Sequence, residues 1–316
     1  MYYLGIDLGG MSIKAGVCDD NGNILVKDTC VTVRTEDGDR ILNDMAALCL
    51  KVIADAGLKV EDIEYAGIAS PGSADCERGV IIYAATLPFL NYPIAEKLSE
   101  KTGIKKVYVE NDANAAAKGE ATFGAAKGYK NSLFITIGTG VGGGIIIDGK
   151  VYSGFNFSGA ELGHIVIVKD GDECPCGRKG CLESYASASG LIKLTKKRML
   201  ADKETLMWNI VDGDIEKVNG KTSFDAMREG DVAAKEVIDE YISYLACGVV
   251  NFINIFQPEV LSIGGGISKE GETLLGPIRE IVSREQYSRY SDKQTVLKIA
   301  ALGNDAGIIG AASLGK

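Results

Sequence analysis

Short apolar runs alternate with polar stretches along the chain, in an order that predicts strands and helices in turn. Apolar residues dominate positions 2–8 and return at 13–18 after a glycine pair, which predicts two strands joined by a tight turn. A third strand is expected at 24–33. Over 40–56 the apolar residues instead recur every three or four positions, as the buried face of a helix requires.

The rest of the chain continues to alternate between helix and strand. The predicted elements are strands at 63–69, 106–109, 133–137, 145–147, 260–263 and 296–300, and helices at 115–123, 189–217, 233–256, 270–283 and 304–314. Within 133–147 the opening of the chain is repeated, because a strand, a glycine turn and a second strand follow one another again. This repetition predicts a duplicated α/β fold.

Composition and charge are those of a folded chain with room for two domains. Of the 316 residues, 46% are hydrophobic and 24% are charged. No apolar run approaches the roughly 18 residues that would span a bilayer, and the net charge of −9 has the wrong sign for nucleic acid. Because the N-terminus lacks the pattern of a secretory signal, we expect a cytoplasmic protein with reduced thiols. Neither a membrane nor a nucleic acid is an expected partner.

The only histidine and three of the eight cysteines fall in one short segment, which predicts a metal site. These residues are His164, Cys174, Cys176 and Cys181. Tetrahedral Zn²⁺ takes such a set, and Gly177 and Gly180 would let the backbone turn so that the sulfurs converge. The alternatives are a satisfied buried histidine and cysteines acting as small hydrophobic residues; a disulfide is disfavoured in the cytosol. With four protein ligands the zinc would be structural.

Two carboxylates flank the predicted ligands. Glu161 precedes His164 by three residues, and Glu183 follows Cys181 by two. An imidazole that gives one nitrogen to zinc keeps the other for a second partner, and the metal fixes its tautomer. Zinc is therefore expected to aim His164 at a polar ligand.

Two glycine motifs match nucleotide-binding fingerprints, but the residues that follow each motif are not those that the fingerprint requires. Residues 138–143 fit the dinucleotide pattern, but a strand rather than a helix follows them. Residues 144–150 resemble a P-loop, yet Val151 stands where the magnesium-binding hydroxyl would be. Both are predicted to be hairpin turns.

Three glycine turns, at 9–10, 138–144 and 264–266, each end a strand. Glycine lets backbone N–H groups approach an anion closely, so two facing hairpins could hold a polyphosphate between domains. Together with Asp7 and Lys14, these turns predict a nucleotide triphosphate site.

Polar residues also gather where a strand ends and a helix starts, at Asn111, Asp112 and Asn114. α/β sheets place ligands at such points. Helix capping is the alternative, but it needs only one of the three. The surplus points to a functional role.

Taken together, the motifs resemble those of the ROK family of sugar kinases and repressors, over essentially the whole chain, and are most similar to those of bacterial ROK glucokinases. They are Asp7-x-Gly9-Gly10, Asn111-Asp112-x-Asn114, Gly138-Thr139-Gly140-x-Gly142-Gly143-Gly144, Glu161-x-Gly163-His164 and Cys174-x-Cys176-Gly177-x-x-Gly180-Cys181-x-Glu183. The resemblance implies an α/β actin-like ATPase fold (ribonuclease H-like, duplicated), with a cleft between two domains. The small domain would be residues 1–111 plus 303–316, and the large one 112–302.

The resemblance also implies an ATP-dependent hexokinase that phosphorylates the 6-hydroxyl of a hexose, with glucose as the first candidate. Asp112 would be the general base. Sugar contacts would come from Gly72, Asn111, Asp112, Glu161, His164 and Glu183. ATP and Mg²⁺ would be held by Asp7, Gly9, Gly10, Ser12, Lys14, Gly138, Thr139, Gly140, Gly142, Gly265 and Gly266. Zinc would be structural, and the protein a homodimer.

The sequence departs from the family pattern at four positions. Met11 replaces a usual Thr, Thr86 replaces a usual Asn, and Phe157 and Ala160 stand where the glucokinases tend to have glycine. The last two are similar to the N-acetylmannosamine kinases of the family, so an N-acetylhexosamine or another hexose is the alternative substrate. A sugar-sensing regulator would carry an added N-terminal DNA-binding segment, whereas the first strand is predicted to begin at residue 2; the acidic charge also favours the enzyme.

Overall fold

A computed structural model describes residues 1–33 and 37–316. In chain order the strands are β1 (Tyr2–Leu8), β2 (Ser12–Cys18), β3 (Ile24–Val31), β4 (Ile63–Ser70), β5 (Ser73–Asp75), β6 (Val80–Tyr83), β7 (Leu90–Tyr92), β8 (Val107–Asn111), β9 (Ser132–Ile137), β10 (Val141–Ile147), β11 (Lys150–Val151), β12 (Val260–Gly265) and β13 (Val296–Ile299). The helices are α1 (Gly38–Asp55), α2 (Ile94–Thr102), α3 (Asp112–Phe123), α4 (Leu182–Ala186), α5 (Ala188–Ala201), α6 (Met207–Ile210), α7 (Thr222–Arg228), α8 (Val232–Phe256), α9 (Glu272–Glu285) and α10 (Ala306–Ala311). Among the described residues no helix is both long and apolar enough to cross a bilayer.

The predicted duplication is confirmed by the strand order of the two large sheets. The first sheet has the order β3-β2-β1-β4-β8 and the second the order β11-β10-β9-β12-β13. In each sheet a hairpin lies beside two further strands, and the strand that opens the repeat is central. Both glycine motifs that match nucleotide fingerprints lie in the β9–β10 and β10–β11 hairpins, as predicted.

The chain forms two compact units. The first comprises residues 1–134, 144–160 and 301–316, and the second comprises 135–143 and 161–300. The first unit therefore includes α3, whereas the boundary expected from the sequence, between residues 111 and 112, precedes this helix. The sequence-based domain limits stay a prediction.

In the first unit, helices cover both faces of the first sheet. As its spacing predicts, the apolar face of α1 is buried in one core cluster with residues of β1, β2 and β4, and the helix packs directly against β2 and β3. On the opposite face α10 lies directly on the strands. Two strand glycines make this possible: a Cβ on Gly5 or Gly67 would lie 1.9 Å from the carbonyl oxygen of Ile308 or Ala311. The close fit fixes the C-terminal segment next to the end of β1 that carries Asp7.

In the second unit, the long helix α8 is the centre of the helical layer. Asp231 caps it by accepting from the backbone N–H of Ala234, and Gln257 ends it in a left-handed conformation. Its apolar face is buried, and α4, α5, α7 and α9 pack against it. This packing holds α4 and α5, which carry or adjoin several of the predicted site residues.

The small sheet of order β5-β6-β7 was not predicted. Its strands are three or four residues long, so they show too little alternation to be detected in the sequence.

Candidate active site and metal centre

The β1–β2 turn places a carboxylate beside an ammonium group. The Lys14 Nζ donates to Asp7 Oδ2 at 2.9 Å, across the register pair of the two strands. The turn is closed by the Gly9 N–H, which donates to the Ser12 carbonyl at 2.9 Å. Gly307 allows close approach of the C-terminal segment, because a Cβ there would lie 2.6 Å from Asp7 Cγ. A carboxylate and an ammonium at a glycine turn are suited to a phosphate-bound cation.

The β9–β10 turn is supported by the start of α5. The Gly138 carbonyl accepts from Ala188 N at 2.9 Å, and the Thr139 carbonyl accepts from Ser189 Oγ at 2.8 Å. Gly140 has no room for a side chain, since a Cβ would lie 2.4 Å from Glu183 Oε2. The turn is therefore held in one conformation and leaves Thr139 exposed.

The glycines at the end of β12 lie next to this turn. Gly265 has φ +87°, and a Cβ on it would lie 2.3 Å from the Ile137 carbonyl oxygen. The structure thus brings two of the three predicted glycine turns to one end of the second sheet. Gly266 has open space around its Cα, unlike Gly265.

The β8–α3 junction assigns the capping role to Asn111. Its Oδ1 accepts from Ala113 N at 2.9 Å and from Asn114 N at 3.1 Å, while its Nδ2 donates to the Gly72 carbonyl at 3.1 Å. Gly72 has φ +86°, and a Cβ there would lie 2.0 Å from the Tyr83 carbonyl oxygen. Asp112 is the first residue of α3 and is exposed. Asp112 Oδ1 also accepts from Ala113 N at 2.8 Å, so it shares this N–H with Asn111, while Asn111 caps the N–H of Asn114 as well.

A buried carboxylate that the sequence analysis missed lies directly before these residues. Glu110 is only 3% exposed, and burial raises the pKa of its carboxyl group. Its Oε1 accepts from Asn111 N at 2.8 Å and from Asn114 Nδ2 at 3.2 Å, and its Oε2 accepts from Ser153 Oγ at 2.8 Å. No short-range pattern reveals the contact with Ser153, which lies 43 residues along the chain.

The predicted metal ligands converge. The ligand atoms of His164, Cys174, Cys176 and Cys181 all lie within 4.8 Å of one another. His164 Nδ1 is 3.5 Å from Cys174 Sγ, and the Sγ atoms of Cys176 and Cys181 are 3.7 Å apart. With Zn–S and Zn–N bonds of about 2.3 and 2.0 Å, tetrahedral ligand atoms lie about 3.5–3.8 Å apart. The donor set and its spacing therefore fit a four-coordinate zinc ion.

The backbone explains why the sulfurs converge. Gly180 has φ +76°, and a Cβ on it would lie 1.7 Å from the Val168 carbonyl oxygen, so no other residue fits there. Cys174 N donates to the Arg178 carbonyl at 2.9 Å, which closes the turn around Gly177. Burial raises the pKa of Cys181 to about 12. A metal ion would have to displace the proton of this thiol.

The two flanking carboxylates lie beside the cluster. His164 Nε2 is 4.0 Å from Glu161 Oε2, so the nitrogen not directed at Cys174 faces a carboxylate. Glu183 Oε2 accepts from Val141 N at 2.9 Å, and its Oε1 lies 3.9 Å from Cys174 Sγ. Glu183 thus links the cluster to the β9–β10 turn, a contact that the sequence did not indicate.

The loop before Glu161 contains two non-glycine residues with left-handed backbone. Phe157 has φ +61° and Ala160 has φ +65°. The loop is joined to β5 by a 2.7 Å contact between the hydroxyls of Ser158 and Ser73. Left-handed residues of this kind cost roughly 1–2 kcal/mol each and concentrate at functional sites.

Comparison with known proteins agrees with this arrangement. The model of the ROK family matches residues 3–316. A glucokinase from Thermotoga maritima is 39% identical over 313 residues, which cover 98% of this chain and 96% of that protein. An N-acetyl-D-glucosamine kinase from Aliivibrio salmonicida is 32% identical, with 85% of each chain covered. The crystal structure of a ROK family glucokinase from Streptomyces griseus, in complex with glucose and AMPPNP, superposes with a TM-score of 0.82 at 36% identity and covers 99% of both chains. This chain belongs to the ROK family.

Proposed function

We propose that this protein is an ATP-dependent glucokinase that transfers the γ-phosphoryl group of ATP to the 6-hydroxyl of glucose. The observation that carries the proposal is the β8–α3 junction, where Asn111 caps the helix and Asp112 presents an exposed carboxylate beside it. The glucokinases of T. maritima and S. griseus, similar over nearly their whole length, support glucose as the substrate.

In this proposal Asp112 is the general base. Phosphoryl transfer needs mainly positioning and charge neutralisation, with a carboxylate to accept the proton of the attacking hydroxyl. General-base help of this kind contributes typically about 10²–10⁴-fold. The Asn111 amide and the adjoining Gly72 would hold sugar hydroxyls next to the base.

Further sugar contacts are proposed for Glu161, His164 and Glu183. The support is their arrangement around the metal cluster: His164 Nε2 faces Glu161, and Glu183 lies beside Cys174. Carboxylates and an imidazole of fixed tautomer are suited to vicinal hydroxyl groups.

The nucleotide would be held by the three glycine turns. The phosphates are proposed to bind at these turns, where the N–H groups of Gly9 and Gly138 already donate within their own turns. The proposed contacts are Gly9, Gly10, Ser12, Gly138, Thr139, Gly140, Gly142, Gly265 and Gly266. Mg²⁺ would be held near Asp7, where it would neutralise charge on the transferred group. Lys14, paired with Asp7 at 2.9 Å, would contribute a positive charge at the same turn.

Structural zinc is proposed at the Cys₃His cluster. Its support is the donor set and the match between the observed ligand spacing and tetrahedral geometry. Zinc would fix His164 and the start of α4, which carries Glu183 directly after the ligand Cys181. A homodimer and a cytoplasmic location stay predictions.

A second candidate is phosphorylation of an N-acetylhexosamine such as N-acetylmannosamine. Phe157 and Ala160 favour it, because both add side-chain volume to the loop before Glu161 and hold left-handed conformations that glycine would adopt without strain. The similar kinase from A. salmonicida is named for N-acetyl-D-glucosamine.

A coupled assay of ADP release tests the proposal with a panel of hexoses and N-acetylhexosamines. Glucose is expected to give the highest kcat/KM. Turnover of N-acetylmannosamine above that of glucose would favour the second candidate. Binding of sugars without ADP release from any of them would point to a sensor instead of an enzyme.

A further inference from the structure

Glu110 stands out because a buried carboxylate is unfavourable unless its oxygens are well satisfied. It sits near the end of β8, beside the buried Val109, and it contacts Asn111, Asn114 and the distant Ser153. An apolar residue would fill the same space without the cost of removing a charge from water. The carboxylate therefore calls for an explanation beyond packing.

Two of its contacts flank Asp112 directly. Glu110 Oε1 accepts from the backbone N–H of Asn111, the residue before Asp112, and from the side chain of Asn114, two residues after it. Asn114 is 2% exposed, and its Oδ1 has no hydrogen-bond partner among the described residues. The amide is thus oriented by Glu110. One carboxylate oxygen fixes the first turn of α3 on both sides of the proposed base.

The third contact reaches the loop before Glu161. Glu110 Oε2 accepts from Ser153 Oγ at 2.8 Å, and the Ser153 carbonyl accepts from Gly159 N at 2.8 Å. Ser153 therefore joins the base of the loop that contains Phe157 to the start of α3. All of these residues belong to the first compact unit.

We propose that Glu110 is a positioning residue, which holds Asp112 in the orientation needed for proton transfer and sets it relative to the loop of residues 154–160. The inference rests on the proposed role of Asp112. A displacement of about 1 Å at a reacting group can cost roughly 10²-fold in rate. Loss of Glu110 should therefore lower kcat more than it lowers sugar affinity.

Glu120 offers a matched control on the same helix. It is fully buried, and it accepts from the backbone N–H groups of Ala125 at 2.7 Å and Leu302 at 2.8 Å. It shares the burial and the hydrogen bonding of Glu110 but lies at the other end of α3. Removing it should destabilise the fold without reorienting Asp112.

The experiment compares Glu110→Ala, Glu110→Gln and Glu120→Ala at a temperature at which circular dichroism shows each to be folded. Glu110→Ala is expected to lower kcat about 10-fold or more, with a much smaller change in the calorimetric Kd for glucose. Glu110→Gln keeps an acceptor for Asn111 and Asn114 and should retain kcat within about 3-fold of wild type. Glu120→Ala should lower Tm while leaving kcat near wild type.

Two results would overturn the inference: a folded Glu110→Ala variant with wild-type kcat, or an equal loss of kcat in Glu120→Ala. If Glu110→Ala does not fold, Ser153→Ala removes one contact alone and should lower kcat by about 3-fold; unchanged kcat would then contradict the proposal. Failure of the proposed function looks different, because the wild-type protein would then phosphorylate no sugar. An active wild type, an inactive Asp112→Asn and a fully active Glu110→Ala would refute only the role of Glu110.

Discussion

Substitution of Asp112 distinguishes a catalytic role of this residue from a role in helix capping. Asp112→Asn keeps the size of the side chain but cannot accept a proton, so kcat should fall by about 10²-fold or more. Glucose affinity should change far less. Because Asn111 already caps α3, the variant should also keep its Tm. Steady-state kinetics and calorimetry measure the two effects.

Asp39→Asn is the matched control for this change. Asp39 is also an exposed acid in the first turn of a helix of the first unit, where it pairs with Lys97. Exposed pairs of this kind contribute little to stability, so the control should keep full activity. Near-normal turnover in Asp112→Asn would remove Asp112 from the mechanism.

Phe157 has a strained left-handed backbone and is also proposed to influence which sugar is preferred. Phe157→Gly removes a side chain from a left-handed position, and the relief of roughly 1 kcal/mol offsets the entropy that glycine adds to the unfolded chain. Stability should change little. If Phe157 favours an N-acetylhexosamine, as the second candidate requires, the ratio of kcat/KM for glucose to that for N-acetylmannosamine should rise by several-fold in Phe157→Gly.

Asp170→Gly provides the comparison for Phe157→Gly, since Asp170 has φ +57° and lies outside this loop. It should leave the substrate ratio unchanged. An unaltered ratio in Phe157→Gly as well would show that this loop does not select the sugar.

Glu110 also gives a pH dependence of stability whose sign follows from burial. Burial raises the pKa of Glu110 in the folded chain above its ordinary value of 4.5. The folded state then binds the proton of Glu110 more tightly than the unfolded state does. The contribution of Glu110 to the free energy of unfolding is therefore complete below the ordinary pKa and is lost as the pH rises through the raised pKa. The side chain in Glu110→Gln stays neutral at every pH. The free energy of unfolding of this variant minus that of wild type should therefore increase as the pH rises from the ordinary pKa through the raised pKa of Glu110. Urea unfolding at several pH values measures the difference, and a pH-independent difference would contradict it.

At the scale of elements, the glycine hairpins were the most predictable features. A strand, a glycine turn and a strand are encoded within about ten residues, so local pattern suffices to place β1–β2 and β9–β10. The support behind the turns was not predictable. The sequence around Glu183 gives no indication that its carboxylate accepts from Val141 N. Ser189 approaches Thr139 only because α5 packs there. Such contacts depend on tertiary packing, which short-range periodicity does not record.

The zinc loop is the element whose stability depends most directly on a ligand. The purified protein is expected to carry about one zinc ion per chain. Cys176→Ser should lower the zinc content and weaken glucose binding, because the ligand loop that leads into α4 and Glu183 would lose its fixed conformation. Metal analysis, limited proteolysis and calorimetry measure the three consequences.

Cys247→Ser is the control for the cysteine substitution, because Cys247 lies on α8 outside the cluster. It should retain both zinc and glucose affinity. Fully active wild-type protein without zinc would contradict the structural role of the metal.

At the scale of the whole molecule, the duplicated topology could be predicted because each half opens with the same succession of apolar and glycine positions. The equal strand order of the two sheets confirms it. The Glu110 network could not be predicted, because it joins residues from β8, α3 and the segment after β11. Residues of this kind become visible only when the fold places distant segments together.

Ligand binding should stabilise the chain in proportion to its affinity, which gives a test that does not depend on turnover. A ligand at 100 times its Kd adds about 2.7 kcal/mol to the free energy of unfolding. For a chain of 316 residues that corresponds to a rise in Tm of roughly 4 °C. Glucose should produce such a rise in wild type and in Asp112→Asn, since the base contributes mainly to the transition state.

Glu183→Gln should reduce the rise in Tm that glucose produces, because a proposed sugar ligand is weakened. Sorbitol keeps the carbon chain of glucose but has no ring, with a primary hydroxyl at C1 and a free hydroxyl at C5, and should give no comparable shift. An equal shift with sorbitol, or none with any hexose, would show that the residues proposed here do not form a sugar site.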